Sequence, residues 1–340
     1  MRFGVVGTNF VSDFFMNGAK EVAECEVAAV CSGRKENAIK FAEKYQIPLV
    51  FDNYIEMIES KEIDAIYLAV PNSLHYEITC ECIKRGIPTL TEKPFASNYN
   101  EAKHMIELSK EYKTYLHDGL IPMYTDNFQI LKDNLHLVGK VRRGVFVFGK
   151  YSSRYDAYLR GENPTTFRRE LCNGSCMDIG VYAIGDAVAL FGKPKKIIAT
   201  GILLDTGVDG LGSCTLIYDT FEVCIQHSKI TDTKIISEIQ GEEGTIQIDM
   251  PSRMDGMWFY PRNPERAGMH KVDESGKVLL SKPSQEGFTY QLRDFIENVK
   301  EGRPESLKLP HQMTLDIMEV LTECRRQMGV IYPCDEKEIG

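Results

Sequence analysis

The rhythm of hydrophobic positions changes about a third of the way along the chain. Up to residue 120, short apolar runs alternate with stretches in which apolar residues recur every three or four positions. Arg2–Val6, Val27–Cys31, Ile63–Val70, Ile87–Leu90 and Thr114–His117 read as buried strands. Val11–Gly18, Glu36–Lys44, Ser73–Arg85 and Asn98–Lys113 read as helices, the third closed by Gly86 just past its end. Such alternation predicts a parallel sheet with helices on both faces and a ligand crevice beyond the carboxyl ends of the strands.

A helix over Tyr124–Leu135 leads into a different pattern, with a period of two. Val141–Phe148, Lys196–Leu204, Phe221–His227, Ile235–Gln240 and Thr245–Ile248 read as strands. In the third of these, Phe221, Val223 and Ile225 face one way while Glu222 and Gln226 face the other. Short turns at Asp219-Thr220 and Gly241–Gly244 point to hairpins, hence to a largely antiparallel sheet. Pro251–Gly287, rich in glycine, proline and charge, reads as containing a long loop. Two amphipathic helices close the chain, one striped by Phe288, Leu292, Phe295, Ile296 and Val299, the other by Met313, Ile317, Leu321, Cys324 and Met328. The fold class predicted is therefore α/β. A parallel-sheet domain spans 1–120, and an α+β domain with a large, open, mainly antiparallel sheet spans 121–340. The closing helices are available to pack back on the first domain.

Composition narrows the class. Of 340 residues, 43% are hydrophobic and 26% charged, as in ordinary globular enzymes, and a net charge of -9 argues against nucleic acid as a partner. No apolar run is long enough to span a bilayer, and the chain enters its first strand without a signal peptide, so a cytoplasmic protein is expected. Its ten cysteines match no zinc spacing and read as reduced thiols; the seven histidines show no ligand spacing, and no metal is expected.

Candidate chemistry begins at Gly7-Thr8-Asn9-Phe10-Val11-Ser12, between the first strand and the first helix, where a Rossmann domain carries its glycine-rich dinucleotide loop. Only the first glycine is present. Asn9 stands where backbone approaches pyrophosphate and is expected to tolerate a left-handed conformation. Ser12 is small enough for close helix packing. The second strand ends in Cys31-Ser32-Gly33-Arg34, without the acid that holds the ribose hydroxyls of NAD. Ser32 and Arg34 suit a 2′-phosphate instead, so NADP is the predicted cofactor and NAD the less favoured one. Val70-Pro71-Asn72 ends the third predicted strand toward the nicotinamide, and His75 follows it either as a cofactor contact or as a packed helix-start residue.

Glu92-Lys93-Pro94 places a lysine at the end of a further strand. Downstream, Gly174-Ser175-Cys176-Met177-Asp178-Ile179-Gly180-Val181-Tyr182 runs on to Asp186. With Val70-Pro71-Asn72 and His75, these segments resemble the Gfo/Idh/MocA oxidoreductase family across nearly the whole chain. The resemblance implies a Rossmann domain, an α+β domain whose sheet forms a homodimer or a dimer of dimers, and hydride transfer between NAD(P) and a hydroxyl or carbonyl carbon of a carbohydrate-like small molecule. The chain departs from the family pattern at Cys172-Asn173, where small glycines are usual, and at Tyr182, where histidine is usual. Tyrosine there resembles the subgroup of dihydrodiol dehydrogenases and glucose–fructose oxidoreductase.

On this reading Tyr182 exchanges the substrate proton, Lys93 lowers its pKa and bonds the substrate oxygen and the nicotinamide ribose, and Asp178, four residues before Tyr182, holds either Lys93 or a substrate hydroxyl. Glu92 and Arg168 join Gly7, Thr8, Asn9, Phe10, Ser32, Arg34, Val70, Pro71, Asn72, His75 and Lys93 as expected cofactor contacts. Tyr151, Tyr155 and Tyr158 line a ring-shaped substrate or cover a loop. The rival from another class is a non-catalytic NADP-binding sensor, which keeps the nucleotide loop and loses the proton-transfer residues.

Overall fold

A computed structural model describes residues 1–266 and 275–336. The first part is a parallel sheet of six strands, β1 (Arg2–Val6), β2 (Glu26–Cys31), β3 (Leu49–Phe51), β4 (Ala65–Leu68), β5 (Thr89–Glu92) and β6 (Leu116–Gly119), in the order β3-β2-β1-β4-β5-β6. Helices α1 (Phe10–Lys20), α2 (Lys35–Tyr45), α3 (Tyr54–Glu59), α4 (His75–Lys84) and α5 (Tyr99–Tyr112) connect the strands. This is the Rossmann order, and strand order reverses between β1 and β4, which makes the crevice at their carboxyl ends the place for a ligand. Sequence reading passed over β3 and α3. The strand is three residues of Leu49-Val50-Phe51 at a sheet edge, too short to show a period.

After α6 (Asp126–Asn134) the chain builds an eight-stranded sheet: β7 (Val141–Gly149), β8 (Lys196–Leu203), β9 (Asp209–Ile217), β10 (Glu222–Ser228), β11 (Ser237–Gly241), β12 (Gly244–Ile248), β13 (Met257–Pro261) and β14 (Val278–Leu279). Their order is β14-β13-β12-β11-β7-β10-β9-β8, antiparallel throughout except where β10 lies parallel to β7. The short α7 (Tyr155–Leu159) follows β7, and α8 (Val181–Phe191) packs across the inner face of this sheet. Val223 and Ile225 of β10 point to that face and are fully buried, as the period of two predicts. The predicted loop region Pro251–Gly287 holds β13 and β14; its residues 267–274 lie outside the described residues. The stretch Arg169–Phe191 corrects one expectation. By length and composition it is apolar enough to cross a membrane, yet its most apolar part is largely buried inside the fold, as a core helix would be.

Helices α9 (Gly287–Lys300) and α10 (His311–Met328) close the chain on different partners. Phe288, Leu292, Phe295 and Ile296 of α9 enter one core with Phe3, Phe15 and Tyr67 of the parallel-sheet part. Burial of such side chains stabilises by roughly 1.5–3 kcal/mol each. Gly18 permits the approach, since a Cβ there would meet Phe288 Cβ at 2.6 Å. Ile317, Leu321 and Cys324 of α10 join the other core, with α8 and the large sheet.

Candidate active site

The crevice between β1 and β4 is built on one glycine. Gly7 has φ +104°, and a Cβ on it would lie 2.0 Å from the Ala69 carbonyl oxygen, so only glycine lets the loops after β1 and β4 touch. Asn9 then starts α1: its side-chain oxygen accepts from Val11 N–H at 2.8 Å, while its amide donates to the Ala69 carbonyl at 2.8 Å. With φ −84°, Asn9 takes no left-handed conformation; the expectation fails because Gly7 supplies the positive φ and Asn9 the cap. Ser12 is buried and its hydroxyl donates to the Gly7 carbonyl at 2.9 Å. Thr8 and Phe10 sit at the mouth, with Phe10 69% exposed. Ser32 and Arg34 follow β2, the neighbour of β1, so they lie along the same end of the sheet. Arg34 is exposed and its guanidinium has no ion pair among the described residues.

Four expected cofactor contacts are turned elsewhere. His75 is fully buried, with Nδ1 2.9 Å from the Pro94 carbonyl and Nε2 3.1 Å from the Val70 carbonyl. Burial pulls its pKa down to about 4, so the ring is neutral at pH 7 and braces two loops rather than a ligand. Asn72 donates its amide to the Cys172 carbonyl at 2.8 Å, tying the β4 loop to the second signature. Glu92 is buried, accepting from the Tyr67 hydroxyl at 3.0 Å and from Lys93 N–H at 3.1 Å. Burial raises its pKa to about 7 against the opposing pull of Lys93. Arg168 pairs with Glu170 at 2.7 Å, two residues away. Val70 and Pro71 remain at the crevice end of β4. Tyr155 and Tyr158 stack at 5.6 Å and both lean on buried Phe167, so they cover a loop.

Three residues from distant stretches meet. Lys93 follows β5, Asp178 lies on a single π-helical turn (Cys176–Gly180), and Tyr182 sits in the first turn of α8. The Lys93 ammonium donates to Asp178 Oδ1 at 3.0 Å and to the Asp178 backbone carbonyl at 2.7 Å. It also stands 5.0 Å from the centre of the Tyr182 ring. Burial opposes charge on Lys93, but Tyr182, Asp178 and Glu92 outweigh it and raise its pKa above the ordinary lysine value. Burial likewise opposes ionisation of Asp178, and is overcome by Lys93 and Lys229, which hold the carboxyl well below its usual range. Tyr182 goes the other way from expectation. Burial raises its pKa, and the lowering by Lys93 is offset by the negative charges of Glu92 and Asp178, so the phenol stays protonated at neutral pH.

Lys229 was not foreseen. It follows β10, its side chain is 12% exposed, and its ammonium pairs with Asp178 Oδ2. Local structure explains the signature around it. Gly174 has φ +143°, and a Cβ there would lie 2.4 Å from Asp209 Oδ1. Asp209 in turn accepts from Cys176 N–H at 2.6 Å and so starts the turn that carries Asp178. At Gly180 a Cβ would press on the ring of buried His227 at 3.1 Å. Cys172, where the family has glycine, takes a left-handed backbone with φ 55°, a conformation glycine adopts without strain.

Residues 1–119 match the family model described as "oxidoreductase family, NAD-binding Rossmann fold". Over 336 residues the chain is 38% identical to scyllo-inositol 2-dehydrogenase (NADP(+)) IolU of Bacillus subtilis (strain 168), covering 99% of each protein. The chain belongs to the Gfo/Idh/MocA oxidoreductase family. Other members include an uncharacterized oxidoreductase of Escherichia coli (strain K12), 37% identical over the full length of both chains, and the trans-1,2-dihydrobenzene-1,2-diol dehydrogenase of Danio rerio, 26% identical over 99% of each. A 3-ketoreductase from Actinomadura kijaniata, solved with NADP and TDP-benzene, superposes with a TM-score of 0.83 at 18% identity, covering 96% of this chain and 97% of the other. That likeness is one of fold. As a Gfo/Idh/MocA member the protein is a dehydrogenase or reductase acting on CH–OH groups.

Proposed function

We propose that the protein is an NADP-dependent oxidoreductase of sugars, polyols or cyclic diols, with Lys93, Tyr182 and Asp178 as its catalytic residues. The meeting of Lys93, Asp178 and Tyr182 at the carboxyl end of β5 carries this reading. The crevice fits a dinucleotide. Gly7 clears space that any Cβ would fill, the α1 N-terminus suits pyrophosphate, and the unpaired Arg34 with Ser32 suits a 2′-phosphate. Gly7, Thr8, Asn9, Phe10, Ser32, Arg34, Val70 and Pro71 would hold NADP, which when bound supplies the hydride acceptor or donor. The family relatives named for NADP and scyllo-inositol, and for a cyclic dihydrodiol, support the same substrate class.

Each side chain has a distinct task. Because Tyr182 is protonated, its hydroxyl donates a proton to a substrate carbonyl oxygen in reduction and takes one back in oxidation at higher pH. An ammonium has three N–H groups, and Lys93 spends two on Asp178. The third is directed at Tyr182, and a substrate oxygen docked beside that hydroxyl would share it, so that it stabilises developing negative charge. Asp178 fixes that ammonium in place. All ten thiols are free, which suits a reducing, cytoplasmic setting. Ile198 and Ile202, exposed along β8, support assembly through the large sheet as a dimer.

The test is a panel of inositols, aldoses and cyclic diols with NADP, scyllo-inositol first, followed by absorbance of the reduced cofactor. Turnover of at least one polyol with NADP is expected. Tight NADP binding with no turnover of any member would overturn the proposal in favour of a sensor.

A further inference from the structure

We propose that Lys229 is a positioning residue for catalysis, acting through Asp178 to keep one N–H of Lys93 directed at Tyr182 and the substrate oxygen beside it; this rests on the active-site reading above. Lys229 is anchored on both sides. Its backbone N–H donates to the Gly210 carbonyl at 2.9 Å, and its carbonyl accepts from Ser152 N–H at 2.8 Å. Its side chain, 12% exposed, reaches from the end of β10 to Asp178 Oδ2. Lys93, 14% exposed, reaches Asp178 Oδ1 from the end of β5. One carboxylate is thus stretched between two ammoniums that belong to different sheets.

The stretch decides what Lys93 has left to give. The carboxyl torsion of an aspartate is broad and easily turned. With Oδ2 taken by Lys229, the carboxylate offers Lys93 a single oxygen at 3.0 Å. The Asp178 backbone carbonyl takes a second N–H at 2.7 Å, and the third remains on the Tyr182 side, 5.0 Å from the ring centre. Without Lys229, Oδ2 has no hydrogen-bond partner among the described residues. The cheapest repair is rotation about the carboxyl torsion, which brings both oxygens onto Lys93 and draws its last N–H away from the substrate. Lys229 therefore acts at a distance from the reacting atoms, by denying Asp178 a second hold on Lys93.

The test compares Lys229→Met, Lys229→Arg, Asp178→Asn and the Asp178→Asn/Lys229→Met pair in the full-length protein, and determines the crystal structure of the Lys229→Met variant. Lys229→Met should lower kcat by about 10²-fold, the scale of a small misplacement of a catalytic group. Its KM and thermal midpoint should change little. Lys229→Arg, which keeps the charge at Oδ2, should recover most of the loss. Once Asp178 is asparagine, adding Lys229→Met should cost nothing further, because both changes act through one group. In the crystal structure the Asp178 carboxylate should be turned with both oxygens on Lys93. An unchanged kcat, losses that add to those of Asp178→Asn, or an Asp178 that has not turned would each overturn the proposal. Near-normal turnover of Asp178→Asn alone would instead sink the active-site assignment, leaving the carboxylate orientation to decide whether Lys229 positions it.

Discussion

Replacing Glu92 with glutamine should make the protein's stability less dependent on pH, by an amount the structure sets. Glu92 is 6% exposed, and burial raises its pKa from 4.5 to about 7 against the opposing effects of Lys93, the Tyr67 hydroxyl and the Lys93 N–H. Below the lower value the carboxyl is protonated in the folded and the unfolded chain alike, and ionisation costs the fold nothing. As pH rises past it, the unfolded chain sheds the proton while the folded protein keeps it to about 7. The unfolded state gains throughout that window, and the loss of stability levels off above it at about 3 kcal/mol. Glutamine has no proton to lose. Its oxygen satisfies only one of the two donors that Glu92 serves, which costs about 1 kcal/mol at every pH. The stability of Glu92→Gln minus that of the wild type should therefore climb by about 2–3 kcal/mol between about pH 5 and about pH 8.5. Urea unfolding followed by circular dichroism measures it. Asp118 and Asp209, raised to about 7, and His75 and His227, lowered to about 4, titrate in or near the same window. All but Asp118 cancel in the difference; the Asp118 charge is one of the causes that raise Glu92 and is already contained in that shift. A gap flat to within about 0.5 kcal/mol would mean that Glu92 ionises as an ordinary exposed acid, and the account of a buried carboxyl behind Lys93 would be refuted.

Tyr182→Phe and Lys93→Met should each reduce turnover by about 10²-fold or more, the range for lost acid–base catalysis; near-normal rates in both would remove the assignment. With the phenol held above its ordinary value, polyol oxidation should still be gaining rate at about pH 10, and a plateau by about pH 8 would contradict the direction of the shift. Arg34→Ala should weaken NADP by about 10-fold or more, the worth of a charge-assisted hydrogen bond, and leave NAD unchanged; equal losses by titration calorimetry would remove the 2′-phosphate argument. Gly7→Ala places a Cβ 2.0 Å from the Ala69 carbonyl oxygen at φ +104°, so it should cost at least about 1–3 kcal/mol and abolish NADP binding; a variant that kept its thermal midpoint and its affinity would show that the two loops do not meet.

What was legible in the chain divides along a physical line. Strand–helix alternation announced the parallel sheet because β1 and β4 are buried on both faces and their apolar runs need no partner to be recognised. The alternation in Phe221–His227 announced the large sheet for the opposite reason, one buried face and one open. Missed elements were short or ambiguous: β3 has three residues, and β9 carries Gly210, Gly212 and Ser213 among its apolar positions, which blurs the period. The candidate nucleotide loop could be located from the place of Gly7 between the first strand and the first helix, and the structure shows why glycine stands there, with φ +104° and a Cβ position 2.0 Å from the Ala69 carbonyl oxygen.

The site was legible as residue types and illegible as charges. Lys93, Asp178 and Tyr182 could be proposed from the resemblance of their segments to the family, but the direction of the Tyr182 shift could not. A single lysine beside a phenol lowers its pKa; a lysine already neutralised by Asp178, with Glu92 buried behind it, no longer does so enough to overcome burial. That balance is set by distances between β5, the π-helical turn and α8, which no local pattern encodes. Lys229 escaped for the same reason. It lies two residues past the predicted strand Phe221–His227, where a lysine ordinarily points to solvent. The parallel pairing of β10 with β7 carries that strand end toward the turn that begins at Gly174, and there the lysine meets the one carboxylate that Lys93 also needs. A charge sequence of this kind, ammonium to carboxylate to ammonium, exists only once both sheets have folded against the turn between them.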